Sequence, residues 1–512
     1  MKKPKLSVLF LTAAVALLLA ACSDGMEKEE FATVTISLEN SEASRQLVEL
    51  GKKTGTTSEK HTYKLFVGNN NPIDMVLDSK GNLTASGVPT GQKKILEIRA
   101  YMDKNDFHLK FDELLHELFD DFDDFDDFVV TDIFTDSKIL RAIGVSDPVT
   151  IKTGNNTISN PIKLYSAMEV SNWKELYFAT TGDTDVERKE IVILKKNMVA
   201  TATITIERPI EIRAEKKVTI LRDTDFDNSF FKVGSDTGTS GKLAIGAILE
   251  GDSIGSSIVL DGGWNDVNDA IEAQAPLITA YADCIIGRDV TLRNNKNFDS
   301  PGGGVYVNGG TFTLYGTIEN NAAFDKGGGV YVEGGTFIME NGAVIKGNKT
   351  DNYGTVDGFG GGVYIKSSSS ASTNFFMNGG TIGGESAAAN KASTGGGVFI
   401  QQEVGEEAVT FRMTGGYISY NQAQNTTGGG VNMTGGTFTM TGGRITNNEA
   451  GTFGGGVYVN GGTFDISAAE LDYFKWVSGN TIEGNNPNTP NVLVSSGSNG
   501  IIKGAPGSES GW

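Results

Sequence analysis

GGGVNMTGGTFTMTGGRITNNEA, residues 428–450, is one copy of a unit that recurs along the carboxy-terminal part of this 512-residue chain. Gly-Gly-Gly-Val begins at Gly302, Gly327, Gly360, Gly395, Gly428 and Gly454, at spacings of 25, 33, 35, 33 and 26 residues. A repeat of this period is one supersecondary unit, which buries its apolar face by stacking on its neighbours. Each unit reads as three short strands separated by two Gly-Gly turns and an asparagine-rich corner. Glycine suits the corners because it reaches positive φ without a Cβ clash. Period-two alternation assigns the faces: Val305 and Val307 point one way and Tyr306 the other, while Phe312 and Leu314 share the apolar side.

Aligning the units produces columns. One is Phe312, Phe337, Phe375, Phe411, Phe438 and Phe464; a second is Leu314, Met339, Met377, Met413, Met440 and Ile466; a third is Ile318, Ile345, Ile382, Ile418, Ile445 and Ile482. Like residues lie over one another when each coil hydrogen-bonds to the next at about 4.8 Å. The pattern predicts an all-β chain dominated by a right-handed, single-stranded parallel β-helix. Its regular coils cover residues 301–486, irregular capped coils 165–300, and a tail or cap 487–512. Asn321, Asn348, Asn421, Asn448 and Asn485 each follow a column isoleucine by three residues, where an amide ladder can satisfy corner backbone groups. Glu385 stands at that place in the third unit.

GGGV followed by IxxN resembles the GGA[I/V] and FxxN repeats of polymorphic outer-membrane proteins, with isoleucine in place of phenylalanine. The resemblance implies an adhesin built on a parallel β-helix. That family's carboxy-terminal translocating barrel does not follow these repeats, so a lipid anchor is expected in its place. Upstream, Leu260-Asp261-Gly262-Gly263 and the capping-box spacing from Asn172 to Glu175 are similar to the start of pectate-lyase-like β-helices, where a short helix covers the open first coil.

Residues 1–21 read as an export signal: Lys2, Lys3 and Lys5 precede an apolar stretch too short to span a bilayer comfortably. Leu19-Ala20-Ala21-Cys22 resembles the lipobox of bacterial lipoproteins, which implies lipidation of Cys22 and membrane attachment through that lipid. Ser23 stands where an inner-membrane retention signal would carry aspartate, which favours the outer membrane or cell surface. Residues 22–30 form an acidic tether. Residues 31–164 alternate like a small β-sandwich, similar to immunoglobulin-like or carboxypeptidase-regulatory-like modules. Within them a Phe-Asp-Asp repeat places Asp120, Asp121, Asp123 and Asp124 together, oxygen ligands of the kind that suit calcium. The glycine and closing glutamate of an EF-hand loop are missing, and a low-complexity insert accounts for the run.

Composition narrows the chemistry. A net charge of −20 argues against nucleic acid as a partner. Sixty-seven glycines with only 11 prolines exclude collagen. His61, His108 and His116 all precede the coils, so no coil uses imidazole as a base or metal ligand, and no cofactor is implied. Cys284 is expected as a buried small hydrophobe. Polysaccharide lyases on this fold need clustered acids beside a base, and hydrolases need paired carboxylates. The outward positions Thr311, Thr313, Thr336, Thr437, Thr439 and Thr463 offer neither, and Asp261, Asp325, Asp351 and Asp357 fall in turns or loops.

The expectation is therefore a non-catalytic, adhesin-like surface lipoprotein that binds a glycan or a host or other cell-surface protein. A carbohydrate-active β-helix enzyme and a passive envelope scaffold are the alternatives. The candidate binding surface is an outward aromatic column, Tyr306, Tyr331, Tyr364, Phe399 and Tyr458, interrupted by Asn432. Exposed, such rings stack on sugars or anchor a protein; otherwise they cover glycine-rich flanks. Insertions at 349–359, 367–373 and 401–409 are the second candidate.

Overall fold

The computed structural model describes residues 31–38, 62–67, 70–77, 82–103, 138–147, 149–162, 165–181, 189–235, 241–246, 257–264, 273–350, 358–424, 426–467, 477–482, 492–495 and 499–503. Cys22, the tether, and Asp120, Asp121, Asp123 and Asp124 lie outside the described residues. Two compact units divide between Tyr165 and Ser166, one residue beyond the boundary expected from sequence.

The first unit contains β1 (Phe31–Leu38), β2 (Thr62–Val67), β3 (Ile73–Leu77), β4 (Asn82–Pro89), β5 (Gly91–Lys94), β6 (Leu96–Asp103), β7 (Lys138–Val145), β8 (Val149–Ile151) and β9 (Gly154–Ile162). The strands pair in the order β7-β6-β2-β3-β4-β1-β9, antiparallel except for β1 against β9. β5 and β8 form a separate ribbon. Val34, Ile36, Leu65, Leu83 and Ile98 are fully buried in one core, as the alternation predicts. β1 is bonded along both edges, to β4 and to β9, and so links these strands into one hydrogen-bonded sheet.

In the second unit the chain winds as stacked coils, each strand parallel to its counterpart one coil on. The phenylalanine column runs in register from Cys284 through Phe312, Phe337, Phe375, Phe411, Phe438 and Phe464 to Ile502. All six rings are fully buried, and neighbouring centroids lie as close as 4.3 Å for Phe411 and Phe438. Ile286, Leu314, Met339, Met377, Met413 and Met440 form the adjoining column. Register continues upstream of residue 300: Ile204, Phe231, Ile278 and Val305 share one column. The coils over 165–300 thus obey the same stacking without the glycine signature.

Each regular coil has a fourth strand that the three-strand reading lacks. Two-residue strands such as Ala322–Ala323 and Lys349–Thr350 follow the asparagine corner and form their own seven-stranded sheet. The isoleucine column also ends differently. Val477 lies opposite Ile445, and Ile482 lies opposite Ala450 in the fourth strand. Sequence spacing fails there because Val477 comes 23 residues after Gly454, whereas Ile445 comes 17 after Gly428.

The amide ladder is present and longer than expected. It runs Asn295, Asn321, Asn348, Asn390, Asn421, Asn448 and Asn480, all buried. Asn348 shows the pattern: its Nδ2 donates to Ile318 O at 3.0 Å and to Asn390 Oδ1 at 3.1 Å, while its backbone N–H also donates to Asn390 Oδ1 at 3.0 Å. Asn390 replaces Glu385, which is exposed at the start of a 3-10 turn, Ser386–Ala388. Asn480, three residues after Val477, takes the place expected for Asn485, which lies outside the described residues.

The two recurring motifs depend on each other. The first glycine of each triplet has positive φ, 65° at Gly395 for example. A Cβ on the second, Gly396, would strike the Gln422 backbone in the fourth strand of the same coil. A Cβ on the third would crowd the ladder, 3.0 Å from Asn348 Nδ2 at Gly329 and 2.9 Å from Asn421 Nδ2 at Gly397. The triplet and the asparagine are therefore the two sides of one tight closure.

At the start of the stack, α1 (Trp173–Thr181) forms where the capping box is expected. Asn172 Oδ1 accepts the Glu175 N–H at 2.9 Å, and Glu175 reaches back to the N–H of Ser171 at 2.5 Å. Trp173 packs on Phe230 and Phe231, so the helix covers apolar side chains that the first coils would expose. Arg222, nearly fully buried, donates from Nη2 to Asn295 Oδ1 at 2.9 Å and so caps the head of the ladder. Burial pulls its pKa down to about 10, against the charge of Asp227.

Candidate functional site

The aromatic column is in register: Tyr306, Tyr331, Tyr364 and Phe399 lie opposite one another on successive coils, followed by Asn432 and Tyr458. Centroid separations are 5.4, 5.1 and 5.3 Å, and the last two pairs are within 5° of parallel. Its exposure is uneven. Tyr331 is 3%, Tyr364 1% and Phe399 4% exposed, while Tyr306 and Tyr458 are half-buried. Phe359, which the column reading omits, adds its ring 4.9 Å from Phe399. Tyr364 is stacked on both faces, and Tyr331 and Phe399 beside it are buried, so the middle of the column is a small outer core instead of an open ladder. It also covers the glycine flank: a Cβ at Gly395 would lie 3.0 Å from that of Phe399.

Polar atoms rim this core. Tyr331 Oη donates to Glu333 at 3.1 Å, and Tyr364 Oη donates to Gln401. Lys366 Nζ lies 3.2 Å from Glu333 and 3.6 Å from Glu403. Burial, reinforced by nearby carboxylates, raises the pKa of Tyr306, Tyr331 and Tyr364 well above the ordinary tyrosine value, so all three are neutral donors near pH 7. Burial alone would lower the pKa of Lys366, but its hydrogen bond to Glu333 and the surrounding carboxylates raise it overall.

Two of the insertions are locked together beside this rim. Ser367 Oγ donates to Glu406 at 2.5 Å and accepts the Glu403 N–H at 2.9 Å, and the Glu407 N–H reaches Ser368 O at 3.1 Å. Val404 stands fully exposed at the tip. Of the insertion 349–359, residues 351–357, including Asp351 and Asp357, lie outside the described residues.

The acids expected to be structural have structural partners. Asp261 accepts from Arg293 at 2.8 Å, from Asn294 at 3.1 Å and from the Gly263 N–H at 3.0 Å. Asp325 pairs with Lys326 at 3.0 Å. Among the described residues, no three His, Cys, Asp or Glu side chains gather to hold a metal.

One exposed aromatic pair is not anticipated by the column. Tyr417 and Tyr420 are 51% and 40% exposed on the coil that carries Asn421. The signal for Tyr420 is positional: it immediately precedes a ladder asparagine, where the other coils carry Asn, Gly or, behind the 3-10 turn, Ala389. No family model, curated protein or solved structure matches this chain.

Proposed function

We propose that this chain is a surface lipoprotein, attached at the outer membrane or cell surface through lipidated Cys22. On this reading its right-handed parallel β-helix presents a non-catalytic, adhesin-like surface to a glycan or a cell-surface protein. Attachment rests on the lipobox-like stretch before Cys22, and right-handedness on the strong preference of parallel crossovers within one sheet.

The observation that carries the binding reading is the union of a stiff stack with outward loops. The buried amide ladder and phenylalanine column fix the coils, and the 367–373 and 401–409 insertions are bonded to each other while reaching solvent at Val404. Recognition usually sits on such loops of a rigid solenoid. The carboxylates favour binding over hydrolysis: Asp261, Glu319 and Glu333 each sit against a cation, Arg293, Lys346 and Lys366. A glycosidase needs a pair free to move protons.

The test applies one preparation of the full chain to a glycan array, to cell-surface protein extracts and to polysaccharide depolymerisation assays. Retention without product release is expected; reproducible release of shorter sugars would overturn the reading. Added protease should cleave the chain on intact cells, and complete protection there would overturn surface placement.

A further inference from the structure

We propose that Tyr417 and Tyr420, flanked by Arg444, Asn447 and Glu385, form a binding site for an uncharged carbohydrate chain, an assignment that rests on the binding reading above. The strongest indication is the backbone of Tyr420. The residue before each ladder asparagine turns the corner with positive φ: Asn294 at 55°, Asn320 at 55°, Gly347 at 64°, Asn447 at 58° and Gly479 at 66°. Ala389, behind the 3-10 insertion, is the exception at −60°. These are residue types that tolerate the left-handed region, and a bulky aromatic does not. Tyr420 nevertheless adopts φ 56°, and 40% of its surface stays in water. Asn turns the same corner at Asn294, Asn320 and Asn447 without an aromatic ring, and strained non-glycine residues of this kind concentrate at ligand sites.

The surroundings supply the chemistry. Tyr417 lies three residues earlier and is also exposed, in a column otherwise formed by Thr317, Val344, Thr381 and Arg444. Arg444, its partner on the next coil, is exposed. The Tyr420 N–H reaches Thr446 O at 3.4 Å, which brings exposed Asn447 alongside. On the other side the Gly384 N–H reaches Ser419 O at 3.1 Å, which brings exposed Glu385 alongside. Two ring faces with a guanidinium, an amide and a carboxylate around them match a sugar, which offers an apolar C–H face and a rim of hydroxyls. One cation against one anion leaves no net charge to select an acidic polymer, and the chain's −20 repels one. Two rings are also far less than the roughly 800 Å² per partner of a stable protein interface.

The experiment is affinity gel electrophoresis of the full chain through galactomannan, xyloglucan and a neutral β-glucan, with heparin as the acidic probe. At least one neutral polymer should retard the wild type. Tyr417→Ala and Tyr420→Asn should each weaken that binding roughly tenfold, a loss of about one ring contact. Because Asn suits the corner, Tyr420→Asn should melt no lower than the wild type, which separates lost binding from lost fold. Full affinity in both variants, or retardation by heparin alone, overturns the site. If the wild type binds a protein partner and no neutral polymer, the carbohydrate site fails while the binding reading stands; if it depolymerises the gel polymer, the binding reading itself fails.

Discussion

Asn390 Nδ2 donates to Asn421 Oδ1 at 2.9 Å, carrying the amide ladder across the coil where Glu385 occupies the expected place. The same nitrogen donates to Ile345 O at 2.8 Å, and Asn390 Oδ1 accepts both the N–H and the side-chain amide of Asn348. Asn390→Ala should therefore strand several buried polar groups and lower stability by about 3–5 kcal/mol. Asn390→Asp should not rescue it, since a carboxylate cannot donate to Ile345 O. Glu385→Ala, on the surface, should stay within about 0.5 kcal/mol of wild type. Urea unfolding of the three variants gives the comparison.

The glycine triplet should show a graded sensitivity. Gly395→Ala faces a strained φ of 65°, worth about 1–2 kcal/mol. Gly396→Ala places its Cβ against the Gln422 backbone, which cannot retreat without opening the coil. It should destabilise by more than Gly395→Ala does, seen as a lower thermal midpoint and faster amide exchange in strands 398–401 and 422–423.

The buried tyrosines give the fold an alkaline limit. Their folded pKa values are raised, so the native state holds protons that the unfolded chain releases above pH 10. The contribution of these tyrosines should be complete below pH 10 and fall above it, by about 1.4 kcal/mol per pH unit for each one still protonated. Arg222 works the other way: its pKa is lowered to about 10, so its contribution rises with pH above that value. With these three phenols, Tyr63 and the Cys284 thiol against one guanidinium, the net slope should be negative. Melting at pH 9 and pH 11 checks the sign, and Tyr364→Phe should flatten the slope.

Much of the architecture was legible because alternation and like-residue stacking are local consequences of pairing coils. Phe312 to Phe464 could be aligned by eye since every coil places Phe at the same step of the same strand. The ladder was harder at its ends. Leu292…Asn295 and Val477…Asn480 keep the apolar-x-x-Asn spacing but lack a nearby GGG in the expected phase, and five inserted residues hide Asn390. Exposure of the aromatic column was not legible at all. Whether Tyr331 faces water depends on Tyr306 and Tyr364, each about one coil away in space and more than 20 residues away in sequence. Tyr420 is legible only once the ladder is aligned, because an aromatic then stands before Asn421 where most coils carry Asn or Gly, while its positive φ is not displayed by sequence.

The buried aromatic core predicts how substitution there reads out. Tyr364→Ala removes a side chain 1% exposed and stacked on two neighbours, so it should cost about 3–5 kcal/mol of stability, as large-to-small core changes do. Any loss of ligand binding should follow that of folded protein, as measured by circular dichroism on the same samples. Binding lost while the fold and melting point are unchanged would instead show that a ring face is open.

The two cysteines test the core and the anchor together. Cys284 directly precedes Phe312 in the phenylalanine column, fully buried, and burial raises its pKa well above the ordinary thiol value, with Asp283 adding to it. A thiolate is the reactive form, so Cys284 should not react with a thiol reagent at pH 8 in the native state and should react fully in guanidinium. Cys22, if lipidated through its sulfur, contributes no thiol in either state. The processed chain should therefore titrate zero thiols native and one unfolded, and an unprocessed chain should titrate two when unfolded. A native thiol in the processed protein would mean that the coil holding Cys284 opens to solvent, contradicting the continuous packing from Leu243 through Cys284 to Phe312.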